Sequence, residues 1–256
     1  MQTGIEKLGF HCAKEILGKG NAELMKEIKI QLKNNYLTNF KLCYICENVK
    51  MQKDELQNII RGKSGISQKT LVQTVANYLR RSEGASPMAK ENKQYKQEET
   101  EKLIEYCTQN NLWANDKLNF DLFVSEGAEQ KVYIKDNKTV YKLNDAIYYL
   151  SWLDYFTNLS LNNYFFPDTS YTLVGFCLVE RKLYALVEQP FIKANQPTNL
   201  DQVKEFMLVN GFVNTRNHDY YNSNLGIILE DLHDENVLTQ DGILYFIDTV
   251  FYVTNE

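Results

Sequence analysis

The stretch Asp231-Leu-His-Asp-Glu-Asn236-Val-Leu, followed by Phe246-Ile-Asp248, limits what this chain can fold into more than any other. An aspartate and an asparagine stand five residues apart. A second aspartate follows twelve residues later, at the end of the apolar, strand-like run Ile243-Leu-Tyr-Phe-Ile247. Asp and Asn are ordinary turn formers, so the pair alone says little. The set of three offers only oxygen ligands. Magnesium, a hard cation, takes such ligands and usually only one or two protein carboxylates. Phosphoryl transfer requires a kit of this kind: a carboxylate that orients the attacking hydroxyl, and oxygens that hold magnesium against the nucleotide phosphates.

The spacing resembles the protein-kinase-like superfamily, in which D-x-x-x-x-N is the catalytic loop and a later Asp after apolar residues binds metal. The D-L-H-x-x-N-V-L form looks more like the atypical and small-molecule kinases than the H-R-D form. From about Leu118 to Val253 the chain is similar to the compact kinase domains of bacterial and phage polyvalent proteins. The resemblance implies that Asp231 orients the acceptor hydroxyl and that Asn236 and Asp248 hold Mg2+ on bound ATP. His233 is read as a hydrogen-bonding residue that pins the loop, not as a base. Glu230 stands before Asp231, where relatives often carry Gly or Arg, so the Arg that reads an activation-loop phosphate is absent. The sequence runs only eight residues past Asp248. A truncated C-lobe without an activation segment is therefore expected.

Kinase-like nucleotide sites begin with a strand, a turn over the phosphates, and further strands, one carrying a lysine. Phe120–Val124 reads as the first strand, Ser125–Gln130 as the turn and Lys131–Ile134 as the second strand. Asp136-Asn137 makes a hairpin turn, and Thr139–Leu143 is the third strand. By this resemblance Lys142 clamps the nucleotide phosphates, Val132 covers the base, and Gly127 and Gln130 belong to the phosphate loop. The family's loop carries G-x-G-x-x-G. Here only Gly127 is present, which leaves the backbone fewer ways to approach phosphate closely. Asp145–Leu161 reads as a helix, with Ile147, Leu150, Leu153 and Phe156 at helical spacing. It contains no Glu, so Asp154 is the candidate partner of Lys142; a solvated helix-face carboxylate is the alternative. Tyr171–Val174 and Lys182–Val187 read as an antiparallel pair. Glu188 and Pro190 follow where the family has its adenine-binding hinge, with Pro190 stiffening the crossing, and Val187 guards the back of the pocket. Asn199–Val209 reads as a short helix stopped by Gly211.

The N-terminal third reads as all helical, with candidates at Ala22–Leu37, Asp54–Ile60 and Gln68–Leu79. The Gly65 turn and Ser67 cap between the last two resemble a helix-turn-helix. From Lys50 to Arg81 there are seven basic residues against two acidic ones, a surplus that could meet nucleic-acid phosphates. The bland alternative is a helical bundle that packs on the acidic remainder. Residues 1–97 carry a net charge of +8 and residues 98–256 a net charge of −13. Composition breaks at Arg81–Pro87 and becomes polar through Lys96, as a linker does. The expected organisation is thus a helical domain over 1–83, a linker over 84–97 and an α+β, minimal kinase-like domain over 98–256 with an antiparallel N-lobe sheet.

No apolar run approaches a membrane span, and Met1–Glu6 opens no secretory signal. Five Cys, an odd count, suit a reducing cytoplasm. Cys43 and Cys46 have metal-ligand spacing, but a structural zinc site normally needs four ligands, and two buried thiols account for them more simply. Three functions stay open on the sequence. One is an ATP- and magnesium-dependent kinase acting on a protein or small-molecule hydroxyl. Another is a nucleotide-binding pseudokinase. The third is a nucleic-acid-binding regulator using the N-terminal helices.

Overall fold

The computed structural model of the chain describes residues 49–63, 70–82, 92–127 and 130–254. The expected helix at 22–37, Cys43, Cys46, the Gly65 turn, Ser67 and most of the 84–97 segment lie outside the described residues. Two compact units are formed. One is Gln57–Ile192, and the other takes in Lys193–Glu256.

The first unit begins in helix α1 (Val49–Ile60). Gly62, in the left-handed region at φ 67°, ends it, as C-terminal glycines do. Helix α2 (Leu71–Ser82) grips that end. Arg80 Nη2 donates to the Ile60 carbonyl at 2.7 Å, and Asn77 Nδ2 donates to the Gly62 carbonyl. A Cβ on Gly62 would lie 2.0 Å from Asn77 Oδ1, so a larger residue there would push aside the side chain that bonds the Gly62 carbonyl. Helix α3 (Asn92–Gln109) begins inside the stretch whose composition reads as linker.

Five antiparallel strands follow: β1 (Phe123–Glu126), β2 (Gln130–Ile134), β3 (Thr139–Asn144), β4 (Thr172–Val179) and β5 (Lys182–Pro190). They are ordered β1-β2-β3-β5-β4. The outer edge of β4 is covered by the segment after α3. Phe176 N donates to the Leu112 carbonyl and Ala114 N to the Phe176 carbonyl. Gly175 makes the approach feasible, because a Cβ there would fall 2.4 Å from Leu112 O.

Helix α4 (Trp152–Phe165) lies between β3 and β4 in sequence. It starts seven residues later than periodicity suggests, and the reason is local. Asn144 Oδ1 accepts from Ala146 N, Asp145 Oδ1 accepts from Ile147 N, and Ala146 takes φ 54°. These side-chain turns compete with helix, and Ser151 then caps α4 by accepting from Asp154 N. Ile147 and Leu150, expected on the buried helix face, are 56% and 64% exposed. The first strand is displaced in the same way. Asn119 accepts from Asp121 N and closes a 3-10 turn over Phe120–Leu122, so β1 begins only at Phe123.

The unit's larger core joins Val72, Val75, Ala76 and Leu79 of α2 to Leu103 and Cys107 of α3. To these it adds Trp152, Tyr155, Phe156 and Leu159 of α4, and Leu173, Phe176, Ala185 and Val187 of the sheet. A smaller core on the other sheet face holds Tyr133, Tyr141, Leu143, Cys177 and Leu186 under Ala114 and Leu118. Burial pushes the thiols up, Cys107 to about 12 and Cys177 to about 11, so both stay protonated and inert.

The second unit opens with α5 (Leu200–Val209), capped by Asn199, whose side chain accepts from Asp201 N and Gln202 N. Gly211, at φ 79°, follows its C-cap. A four-stranded antiparallel sheet is ordered β11-β8-β7-β6. Its strands are β6 (Val213–Arg216), β7 (Asp219–Asn222), β8 (Ile227–Glu230) and β11 (Val250–Val253). Between β8 and β11 stands the hairpin of β9 (Val237–Gln240) and β10 (Ile243–Phe246). Its turn residues, Asp241 at φ 52° and Gly242 at φ 77°, have the positive φ pair that two-residue hairpins prefer. Among the described residues no helix is long and apolar enough to cross a membrane.

Candidate functional site

Sequence-selected residues fall into one set in each unit. In the first unit, Val132 of β2, Lys142 of β3 and Val187 of β5 form a single cross-strand row. Val132 is opposite Lys142, and Lys142 is opposite Val187. Directly opposed residues share a face, and Val187 and Leu173 assign this face to the core beside α4. Lys142 is only 4% exposed. Its ammonium lies 5.5 Å from the Tyr171 ring centroid, close enough for a cation–π attraction.

Other members of this set have different surroundings. Gln130 opens β2, buried and opposite Asn144. Glu188 is opposite Tyr141 and pairs with Lys135 at 2.5 Å. Pro190 ends β5, opposite Thr139. Gly127 N donates to the Gln130 carbonyl, and among the described residues nothing lies within 4 Å of a Cβ placed on it. Asp154 is a capping residue. Its N–H donates to Ser151 Oγ and its Oδ2 accepts from Leu150 N, a reciprocal arrangement close to a capping box. Burial raises its carboxyl pKa, and Lys96 is the cation that opposes the rise.

In the second unit, β8 delivers the loop and the β9–β10 hairpin delivers Asp248. Asp231 leaves β8 at φ 69°. Aspartate tolerates this left-handed conformation better than most residues, at a cost of about 1–2 kcal/mol. Bonds on both sides of the residue offset that cost. Its N–H donates to Asp219 Oδ1 at 3.2 Å, and its carbonyl accepts from Asn236 Nδ2 at 3.0 Å. The same nitrogen reaches Asp231 Oδ2 at 3.1 Å. A backbone carbonyl can only accept, so the amide nitrogen of Asn236 must face Asp231 and its oxygen must face away. The Asn236 carbonyl accepts from Ile247 N, which ties the loop to the residue before Asp248.

His233 completes the loop. Its Nδ1 accepts from Glu235 N at 3.2 Å, so the ring proton sits on Nε2, which faces Asp231 Oδ1 at 3.2 Å. The imidazole therefore pins the carboxylate. Leu232 is fully buried and anchors the loop beneath, its N–H donating to the His218 carbonyl. The Asp231 side chain remains 58% exposed and open to an incoming group. Burial raises the Glu230 pKa, with further contributions from Asp219 and Asp231.

Two residues escape a reading by motif. Asp219, on the β6–β7 hairpin, reads as an ordinary turn residue, and only its bond to Asp231 N marks it. Glu99 reads as a solvated charge on a polar helix, yet it is 2% exposed. Among the described residues no group of three or more His, Cys, Asp or Glu side chains is arranged to hold a metal. The backbone bond from Ile247 N to the Asn236 carbonyl sets Asp248 one residue beyond the loop's tie point. The outward amide oxygen of Asn236 fits a hard cation that keeps several waters.

The first unit carries a helix between the third and fourth strands of its sheet, and the second carries a pinned D-x-x-x-x-N loop with an aspartate, Asp248, in the connection from β10 to β11. The chain belongs to the serine/threonine/tyrosine kinase family found in polyvalent proteins, whose model matches residues 96–255. A kinase family uses ATP, so a nucleotide ligand follows from membership. No curated protein matches the chain.

Proposed function

We propose that the protein is an ATP- and magnesium-dependent phosphotransferase acting on a hydroxyl acceptor. The observation that carries this reading is the pair of hydrogen bonds that Asn236 Nδ2 donates to the carbonyl and the carboxylate of Asp231. It fixes the carboxylate and turns the amide oxygen outward. In this reading Asp231 orients the acceptor hydroxyl and accepts its proton as the oxygen bonds to the terminal phosphorus of ATP and ADP leaves. Asn236 and Asp248 would hold magnesium, which neutralises charge on the phosphates. Lys142 clamps the phosphates, Val132 and Val187 flank the base, and Gly127 and Gln130 belong to the loop over the nucleotide. Glu188 and Pro190 provide the hinge backbone. Asp154 is the candidate partner of Lys142, with its capping bonds as the competing use of its carboxylate.

The test is transfer from labelled ATP with magnesium, to the protein itself and to generic hydroxyl acceptors. Asp231→Ala should abolish transfer while Mg·ATP still raises the melting temperature, as a ligand that binds only the folded state must. Undiminished transfer by that variant would refute the assignment. A second reading, a nucleotide-binding pseudokinase, is favoured by Gly127. Its loop holds one glycine, and no described neighbour crowds that position. Melting stabilisation by nucleotide without transfer to any acceptor is the outcome that selects it.

A further inference from the structure

Both backbone amides at the start of the catalytic loop are held by one short hairpin tip. Leu232 N donates to the His218 carbonyl, and Asp231 N donates to the Asp219 carboxylate. The tip is itself braced. Asn217 takes φ 47°, Asn214 Nδ2 donates to the carbonyls of Asn217 and Asp219, and Thr215 Oγ1 donates to the Asp219 carbonyl. Strand β7 then pairs with β8, which runs into the loop, with Tyr220 opposite Leu229. Asp219 is thus fixed through its backbone, and its side chain is aimed at one peptide N–H, that of the left-handed Asp231.

From this we infer that Asp219 is a positioning residue for phosphoryl transfer: its carboxylate holds the Asp231 peptide so that the Asp231 side chain meets the acceptor hydroxyl. The inference rests on the phosphotransferase reading for its catalytic consequence. Its structural half, the hold on the Asp231 amide, stands independently. Without the bond, Asp231 N–H loses its partner, and the left-handed turn keeps only the Asn236 contacts on its far side. Asp231 then samples ordinary φ values and its carboxylate wanders. Small misplacements of a reacting group cost large factors in rate. Nucleotide binding, which uses other residues, is untouched. The β6–β7 hairpin therefore acts as a support beneath the loop.

The experiment compares the full chain with Asp219→Ala and Asp219→Asn. One readout is backbone amide exchange at Asp231 and Leu232, and the other is kcat and KM for Mg·ATP. Asp219→Ala should speed Asp231 exchange at least about tenfold, leave Leu232 protected by His218, and lower kcat about a hundredfold with KM for ATP little changed. Asp219→Asn keeps an acceptor oxygen and should restore Asp231 protection and most of kcat. Unchanged Asp231 exchange in Asp219→Ala, or an Asn variant as impaired as the Ala variant, overturns the proposal. If the Ala variant does not fold, Asp219→Leu against Asp219→Asn gives the same contrast. If the wild-type chain transfers no phosphate to any acceptor, the phosphotransferase reading fails, and with it the catalytic half. The exchange readout then still decides whether Asp219 holds Asp231.

Discussion

The carboxylate of Glu99, on α3, accepts the backbone N–H of Trp152 at 2.6 Å, at the first residue of α4. Its other oxygen accepts from Leu153 N at 3.3 Å, and one residue on, Thr100 Oγ1 accepts from the Trp152 indole N–H at 2.9 Å. Helix N-termini carry unsatisfied N–H groups and partial positive charge. A buried carboxylate from a preceding helix satisfies two of them at once. Lys96, one turn earlier on α3, donates to the carbonyls of Ala146 and Tyr149, so α3 also fastens the turns that lead into α4.

Glu99→Ala leaves one buried and one part-buried N–H group without this acceptor and should destabilise the chain by about 2–3 kcal/mol. Glu99→Gln keeps one acceptor oxygen and should cost about half as much. Urea unfolding with an unchanged m value measures both. A Glu99→Ala midpoint equal to that of the wild type would show that α3 does not fix α4.

Asp154 sets a pH dependence. Burial raises its pKa in the folded chain above the unfolded value. In the window between the two values the folded state binds more protons than the unfolded state, so this group makes stability fall as pH rises. Below the unfolded pKa the penalty is absent; above the folded pKa it is complete. Asp154→Asn keeps an acceptor for Leu150 N and removes the titration. The variant should therefore gain relative to wild type as pH is raised from acid to neutral, seen as melting temperatures compared across pH. If Asp154 instead pairs with Lys142, the variant should lose stability at neutral pH and lose transfer with it.

The bonding within the Asp231–Asn236 loop was legible because it is local. Asp231, His233 and Asn236 lie within six residues, and the bonds among them follow from that spacing. The pairing of Lys142 with Val132 was legible because alternation along β2 and β3 fixes which side chains share a face and the hairpin sets the register. Helix starts were not legible at Asp145, since two side-chain turns and a left-handed Ala146 override hydrophobic spacing. Asp219 and Glu99 were invisible for a different reason. Each is defined by a partner N–H far along the chain, 12 residues away for one and 53 for the other. Composition also marks a break before α3, whereas α2, on its other side, shares a core with α4 and β4.

Lys142 is buried and shares a cross-strand row with Val132 and Val187. Lys142→Met keeps the stem length and apolar contact but removes the charge. We expect transfer from ATP to fall at least about a hundredfold, the size of a lost charge-stabilising group. The melting shift produced by Mg·ATP should shrink as well, because the clamp acts on bound nucleotide. A full melting shift with unimpaired transfer would remove Lys142 from the site.

The basic surplus between Lys50 and Arg81 bears on nucleic-acid binding, and Arg80 argues against it. Its guanidinium donates to the Ile60 carbonyl at 2.7 Å and to Asn77 Oδ1 at 2.9 Å, so it holds α1 to α2. Meanwhile Val72, Val75, Ala76 and Leu79 place one face of α2 in the core. Arg80→Ala should lower stability by about 1–3 kcal/mol, since a carbonyl and an amide lose a charged donor. Binding of the full chain to duplex DNA should be undetectable even at low salt, where phosphate contacts are strongest. Tight low-salt binding that weakens steeply with salt and is reduced by reversing Lys69 and Arg81 would reinstate the nucleic-acid reading. Unchanged stability of Arg80→Ala would show that the α1–α2 contact carries little weight.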